Sequence, residues 1–311
     1  CLDSMVLHDI IVKEDILLVN VHFYTIMRYE LMKWKIIADS GCDLREIENL
    51  APDTQYINVP LTVQVGDKHY TDDASLDIDA MMIEMYQSKD QTASACPSPD
   101  AFLEAYKGAE NVIAITITGG LSGSQNSAQL AKNMLLEEAP ETNIEVFDSL
   151  SASGEMVLFV QKANELIAQG LSFEEVVAAL KDYLASTKLL FALARVDNLV
   201  KNGRLNKLVG AVIGMLNIRL VGNASPEGTL NLLHKAKGQK KAVQAVWAEM
   251  KKNGYKGGRV LISHCSNPEI CGLIQAAIHS EFPNADVTSI HTSGVCSYYA
   301  EQGGILMGYE A

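Results

Sequence analysis

A glycine-rich turn with two serines follows one of the most apolar segments of the sequence. Residues 115–124 read ITITGGLSGS, so an alternation of Ile and Thr leads into two glycines, and Ser122 and Ser124 precede a helical pattern. Backbone N–H groups at the start of a helix, together with hydroxyl groups, form a small receptor for an anion. The segment therefore predicts an anion-binding turn, and the simpler alternative is that its glycines only turn the chain.

The residues missing from this turn restrict the kind of anion. No Lys or Arg follows the glycines, and the segment matches neither the GxxxxGK[ST] phosphate loop nor the GxGxxG dinucleotide fingerprint. A receptor made of hydroxyl groups and helix dipoles suits one carboxylate better than a triphosphate. A sugar-phosphate or nucleotide-phosphate site remains a competing interpretation.

Ser122 could instead act as a nucleophile. The G-x-S-x-G elbow of serine hydrolases is absent, since serine and glycine are adjacent here, and the nucleophile would also need a base. His264 and His291 each end a predicted strand, in GRVLISHC and DVTSIHTS. Either could serve a hydrolase or acyltransferase that uses Ser122, could bind a carboxyl group by hydrogen bonding, or could be structural.

Arg204 opens a second segment of interest, RLNKLVGAVIGML. One interpretation is an amphipathic helix packed on the core with its arginine facing solvent. The other is a helix that lines or covers a cavity for an acyl chain, because it carries more apolar residues than one helix face requires. These apolar residues are Leu208, Val209, Val212, Ile213, Met215 and Leu216.

Short β-rich segments alternate with amphipathic helical patterns, as in a largely parallel α/β sheet. The predicted strands KIIAD (35–39), NVIAITIT (111–118) and IEVFDS (144–149) each end in small and hydroxyl-bearing residues. DLREIENLA (43–51) predicts a short helix after the first of these strands. In open α/β sheets, ligands bind outside the carboxyl ends of the strands, so these three strand ends predict a binding edge.

The chain divides into three parts. Residues 1–31 precede the first strand pattern and are predicted to be an extension outside the fold. A turn at Gly170 predicts two α/β domains, 32–170 and 171–311, and we expect each to be a mainly parallel sheet flanked by helices.

Composition excludes several classes of protein. The formal net charge of −13 argues against nonspecific binding to nucleic acid or to an anionic membrane surface. The six cysteines show neither CxxC pairs nor zinc-site spacing, and scattered thiols are typical of a reducing compartment. No apolar run reaches the roughly 18–20 residues that a membrane span needs. We therefore expect a cytoplasmic protein without a metal site and without stable membrane insertion.

Several segments together resemble the DegV family in order and approximate spacing. The resemblance extends from about Met32 to Ala311, and its most specific parts are the LSGS turn and NLVKNGR. In order, the matching segments are MKWKIIADSGCDL, SACPSP, ITITGGLSGSQNSAQLA, VFDSLSASGEM, NLVKNGRLNKLVGAVIGML, LISHCSNPE and SIHTSG.

The resemblance implies a two-domain protein that binds a long-chain fatty acid between its domains. Members of this family serve as the fatty-acid-binding subunit of a two-component bacterial fatty acid kinase. A separate ATP-using subunit converts the bound acid to an acyl phosphate for phospholipid synthesis. The resemblance thus implies a carrier with no catalytic nucleophile and no cofactor besides its lipid ligand.

The family pattern also implies roles for individual residues. The carboxylate-binding threonine of the family's T-S-Q-P-S segment corresponds to Ser94 in SACPS, and the S-G-T turn corresponds to residues 122–124, which makes Ser122 the second carboxylate ligand. The histidine of the H-T-G-P-G segment corresponds to His291, although the glycine-proline turn is lost, and His264 is a second candidate. Arg204 is expected to contact the kinase subunit or the transferred phosphate.

Overall fold

The computed structural model describes residues 32–205 and 217–311. The predicted extension at 1–31 and the apolar residues between Leu208 and Leu216 lie outside the described residues. The strands are β1 (Met32–Asp39), β2 (Thr54–Val59), β3 (Thr62–Val65), β4 (Lys68–Thr71), β5 (Thr92–Ala95), β6 (Ala109–Thr116), β7 (Asn143–Asp148), β8 (Thr187–Leu193), β9 (Ile218–Ala224), β10 (Leu230–Lys237), β11 (Val260–His264), β12 (Val287–His291) and β13 (Ile305–Glu310). The helices are α1 (Ile78–Gln87), α2 (Pro99–Tyr106), α3 (Ser124–Glu138), α4 (Gly154–Ala168), α5 (Phe173–Ser186), α6 (Asp197–Lys201), α7 (Gln239–Lys252), α8 (Pro268–Glu281) and α9 (Gly294–Ala300).

The first sheet is parallel and has the strand order β2-β1-β6-β7. Its two central strands are buried on both faces, as Ile36, Ile37, Ile113 and Ile115 are fully shielded from solvent. Such continuous apolar strands are typical of a parallel sheet covered by helices on both sides. The carboxyl ends of β1, β6 and β7 therefore meet at one edge, as the sequence predicts.

The second sheet corrects the prediction of a mainly parallel sheet in the C-terminal half. Its strand order is β10-β9-β8-β13-β11-β12. Of the described strand pairs in this second sheet, only β11 with β12 is parallel, and the other pairs are antiparallel. The turn at 225–229 between β9 and β10 is too short for a parallel crossover, so these two strands form a hairpin. The last strand then returns between β8 and β11, antiparallel to both.

A small antiparallel sheet of order β4-β3-β5 completes the described strands. Val63 and Val65 on β3 and Met81 on α1 share one apolar cluster with Phe191 of the second sheet and with Val295 of α9. The small sheet thus belongs to the N-terminal half of the chain but packs on the C-terminal half.

Among the helices of 32–205 and 217–311, none combines the length and the apolar composition needed to cross a bilayer.

Helix α4 lies close to the second sheet. A Cβ atom added to Gly154 would lie 2.5 Å from the carbonyl oxygen of Leu261 on β11, and one added to Gly308 on β13 would collide with the backbone of Glu155. Only glycine permits this approach at the two positions. The first turn of α4 therefore rests directly on strands of the other half.

Two buried carboxylates join the N-terminal half to α9. Asp43 accepts hydrogen bonds of 2.7 Å from both the backbone N–H and the hydroxyl of Ser293. Asp72 accepts from the N–H groups of Gly294 at 2.7 Å and Val295 at 2.8 Å, and it also pairs with the guanidinium of Arg45. These bonds satisfy N–H groups at the start of the helix, which otherwise lack partners.

We predict that Asp72→Ala destabilises the protein by about 3–5 kcal/mol, because it removes the carboxylate partner of the Arg45 guanidinium and leaves two buried N–H groups without their acceptor. The measurement is urea unfolding followed by circular dichroism. Asp182→Ala, at an exposed position on α5, is the control and should change the free energy of unfolding by less than about 0.5 kcal/mol. Equal stability of the two variants would contradict the role given to Asp72.

Candidate functional site

A cavity of about 300 Å³ lies where the carboxyl edge of the first sheet faces the second sheet. The segments after β6 and β7 form one side, and β8, β13 and α9 form the other. Most lining side chains are apolar, among them Leu61, Ile117, Phe191, Leu193, Val295 and Leu306. Its walls therefore come from both halves of the chain, and its interior suits an apolar ligand.

Polar side chains are also present in the lining. Ser94 at β5, Ser122 in the glycine turn and Arg204 after α6 all line the cavity, together with Tyr299 of α9. The sequence predicts five residues that bind the ligand's carboxylate or contact the transferred phosphate or the kinase subunit. Three of these five line one cavity. Hydroxyl groups and a guanidinium can donate hydrogen bonds to an anion, whereas the apolar walls cannot.

The glycine turn gives Ser122 its position. Ser122 donates its backbone N–H to the Thr118 carbonyl at 3.1 Å, and its hydroxyl oxygen accepts from the N–H of Ser124 at 3.3 Å. A Cβ atom on Gly120 would lie 2.5 Å from the carbonyl oxygen of Glu227, in the β9–β10 hairpin. The glycines thus allow close packing of the turn, while Ser122 lines the cavity.

Tyr299 is a lining residue that the sequence analysis did not identify. Its hydroxyl lies 2.8 Å from the Ser94 hydroxyl oxygen, and the Arg204 guanidinium lies over its ring at 5.9 Å from the centroid. The neighbouring Tyr298 is buried, and its hydroxyl donates to Thr92 at 2.8 Å. Nothing in the sequence SYYA distinguishes the two tyrosines, since only the docking of α9 determines which one lines the cavity.

Arg204 is held at the cavity by backbone acceptors. Its Nε donates to the Leu121 carbonyl at 3.3 Å and its Nη1 to the Asn202 carbonyl at 2.7 Å. The first of these bonds connects Arg204 to the glycine turn. The guanidinium therefore provides positive charge beside Ser122 and Tyr299.

The structure does not bring the two histidines to this cavity. The rings of His264 and His291 lie against each other, with centroids 4.3 Å apart, at the ends of β11 and β12. His291 lines a separate crevice that also contains Asp43 and Arg259. Burial lowers the pKa of His264, and the proximity of His291 lowers it further. Within the described residues, neither ring is hydrogen-bonded to Ser94 or Ser122.

Asp39 is a buried acid beside the cavity that the sequence analysis also missed. It ends β1, is fully buried, and accepts hydrogen bonds from the N–H groups of Gly41 and Ile117, both at 3.0 Å. Burial raises the pKa of Asp39 to about 7, although the hydrogen bonds from the backbone N–H groups of Ile117 and Gly41 oppose the shift. This acid therefore changes charge near neutral pH.

Comparison with known proteins identifies the family. A sequence model described as an uncharacterised protein of the DegV family matches residues 33–310. The chain belongs to the DegV family. It is 57% identical to a DegV domain-containing protein of Streptococcus gordonii over 279 aligned residues. The alignment covers 90% of this chain and 99% of the relative. A DegV domain-containing protein of Streptococcus pneumoniae is 58% identical with the same coverage.

Solved structures of DegV-family relatives share the fold. The chain is similar to the Streptococcus pneumoniae fatty acid kinase (Fak) B3 protein loaded with linoleic acid, with a TM-score of 0.88 and 58% identity over 90% of this chain and 99% of that one. It is also similar to a DegV family protein of Eubacterium eligens loaded with heptadecanoic acid, with a TM-score of 0.86 and 34% identity over 89% and 99% of the two chains.

The Ser94–Tyr299 contact can be tested without any ligand. We predict that Ser94→Ala and Tyr299→Phe are coupled by about 0.5–1.5 kcal/mol in a double-mutant cycle of urea unfolding, the usual net contribution of one hydrogen bond. Tyr183→Phe, which loses a 2.8 Å bond to Glu310, provides the matched control pair with Ser94→Ala. The control pair should be additive within about 0.5 kcal/mol, and additivity of the Ser94–Tyr299 pair would contradict the contact.

Proposed function

We propose that this protein binds a long-chain fatty acid in the cavity and presents its carboxylate to a separate ATP-dependent kinase subunit. The kinase subunit would form the acyl phosphate that enters phospholipid synthesis. The observation that carries the proposal is an apolar cavity with hydroxyl groups in its wall, in a chain 58% identical to a fatty acid kinase B3 protein loaded with linoleic acid. The protein itself would act as a carrier and not as an enzyme.

The apolar lining supplies the main driving force for binding. Each buried CH₂ group contributes about 0.8 kcal/mol, so a long acyl chain needs few polar contacts to bind tightly. The apolar walls disfavour a sugar or nucleotide phosphate, which would leave polar groups without partners there.

We further propose that the domains are 32–170 and 171–311 and that the ligand lies between them, since both parts contribute to the lining.

Hydroxyl groups would hold the carboxylate. We assign Ser94 and Ser122 as its ligands and add Tyr299, because its hydroxyl lies beside that of Ser94. His264 and His291 are left out of the proposed carboxylate site, because neither lines the cavity. Their position also disfavours the hydrolase alternative, since a serine nucleophile requires an adjacent base.

Arg204 would serve the transfer step. Its guanidinium lies beside the proposed carboxylate site, where it could contact the transferred phosphate or the kinase subunit. Direct attack of the acid on ATP bound to another protein requires a carboxylate that stays accessible. We place both partners in the cytoplasm, where ATP is available.

We expect Ser94→Ala and Ser122→Ala each to weaken oleate binding by about 1–3 kcal/mol, because each removes a hydrogen-bond donor to a charged group. The measurement is calorimetric titration of delipidated protein. Ser280→Ala is the matched control and should bind like the wild type, because Ser280 is exposed on α8 and its hydroxyl donates to the Ala277 carbonyl. Unchanged affinity in both cavity variants would place the carboxylate elsewhere.

A further inference from the structure

Six side chains in the lining of the cavity carry a hydroxyl group, and each hydroxyl has a single hydrogen to donate. A carboxylate only accepts hydrogen bonds, and its two oxygens offer about four lone-pair sites. The strength of carboxylate binding therefore depends on how many of these hydrogens are not used within the protein. The six residues are Ser94, Thr118, Ser122, Ser151, Thr229 and Tyr299.

Two of these hydroxyls already donate to acceptors in the protein. Ser151 donates its hydrogen to the carboxyl group of Glu155. Ser225 donates to the Glu227 carboxylate at 2.9 Å, so the 2.9 Å contact between Ser225 and Thr229 must use the Thr229 hydrogen. Ser151 and Thr229 therefore cannot donate to a ligand without losing an existing bond.

Three further hydroxyls belong to hydrogen-bonded pairs. The hydroxyl oxygens of Ser94 and Tyr299 lie 2.8 Å apart, so one of their two hydrogens joins the pair and the other can point to a ligand. The Ser122 hydroxyl lies 3.1 Å from that of Ser124, so its hydrogen can point to a ligand when Ser124 donates to it. These two pairs thus offer the cavity at most one donor each.

Thr118 differs from the other five lining residues. Its hydroxyl oxygen accepts the N–H of Gly120 at 3.0 Å, but no group among residues 32–205 and 217–311 accepts its hydrogen. Only 2% of the surface of Thr118 is exposed, although the residue lines the cavity. A buried donor without an acceptor is unfavourable and rare, so its place in the lining points to a ligand as its partner.

The glycine turn and the β9–β10 hairpin together fix the position of the Thr118 hydroxyl. The backbone N–H of Thr118 donates to the Ser151 carbonyl at 2.9 Å, and its carbonyl accepts from the N–H of Ser122 at 3.1 Å. A Cβ atom on Gly228, in the hairpin, would lie 2.0 Å from the Thr118 hydroxyl oxygen. Glycine at position 228 therefore leaves the space that this hydroxyl occupies.

We propose that the Thr118 hydroxyl donates a hydrogen bond to the carboxylate of the bound fatty acid, in addition to Ser94, Ser122 and Tyr299. This inference rests on the proposed function and specifies how the same site binds an anion. With Thr118, the lining hydroxyls offer a third donor to a group with about four acceptor sites. The guanidinium of Arg204, in the same lining, supplies the positive charge beside them.

The first test compares two substitutions of Thr118. Thr118→Val removes the hydroxyl and keeps a branched side chain of similar size, whereas Thr118→Ser keeps the hydroxyl. We expect Thr118→Val to weaken oleate binding about tenfold or more, as for other hydrogen bonds to charged groups, and Thr118→Ser to stay within about threefold of the wild type. The measurement is calorimetric titration of the delipidated full chain. Thr288→Val, at an exposed position on β12 outside the lining, is the control and should bind oleate like the wild type.

Thr118→Val also removes the acceptor of the Gly120 N–H, so the loss of a ligand must be separated from a distortion of the turn. Oleyl alcohol has the same acyl chain as oleate but no carboxylate, and it is titrated into the same proteins. Loss of a donor to the carboxylate weakens oleate binding far more than oleyl alcohol binding. A distorted cavity weakens both alike, and equal losses would overturn the proposal.

A crystal structure of the wild type with bound oleate tests the contact without any variant. The proposal predicts that the Thr118 Oγ1 atom lies within about 3.0 Å of a carboxylate oxygen. A distance beyond about 3.5 Å, or unchanged oleate affinity in Thr118→Val, overturns this inference and leaves the proposed function intact. Failure of the wild type to bind oleate would overturn the proposed function as well.

Discussion

The docking of α9 onto two buried carboxylates is the contact on which the cavity depends. Asp43 and Asp72 belong to the N-terminal half, yet their acceptor oxygens are used by Ser293, Gly294 and Val295 at the start of a helix in the C-terminal half. The helix start supplies partial positive charge, and the carboxylates supply the negative charge that matches it. This contact holds Val295 and Tyr299 in the cavity wall, so the cavity exists only when both halves are correctly joined.

Local sequence signals were sufficient for many elements and insufficient for others. Ser98 followed by Pro99, and Ser172 with Glu175 three residues later, are sequence signals for a helix start, and a helix begins at each of them. The helix predicted at 43–51 is wrong. Backbone groups of this segment are hydrogen-bonded to a side chain of a distant element, Asn164 on α4. The Asn164 amide NH₂ donates to the Asn49 carbonyl, and its amide oxygen accepts from the Ala51 N–H. Outside the β9–β10 hairpin, pairing direction in the second sheet could not be predicted either, because it depends on the insertion of the last strand, β13, between β8 and β11.

The same distinction applies to the site. Ser122 could be found because a strand, a glycine turn and a helix follow one another along the chain. Tyr299 and Asp39 could not, because one depends on the docking of α9 and the other looks like any acid at the end of a strand. The histidines are the opposite case: their strand-end positions made them candidates, whereas β11 and β12 bring the two rings against each other, outside the lining of the cavity. Membership of the DegV family supplies the fold, and the arrangement of these side chains supplies the chemistry.

The central claim is that the cavity holds a fatty acid, with its tail on apolar walls and its carboxylate among hydroxyl groups. The most direct test is organic extraction of protein purified from bacterial cells, followed by mass spectrometry of the extract. The account predicts a long-chain fatty acid in near-stoichiometric amount, and its mass identifies chain length and unsaturation. Protein that yields no fatty acid, and that takes up neither palmitate nor oleate when these are added, would contradict the claim.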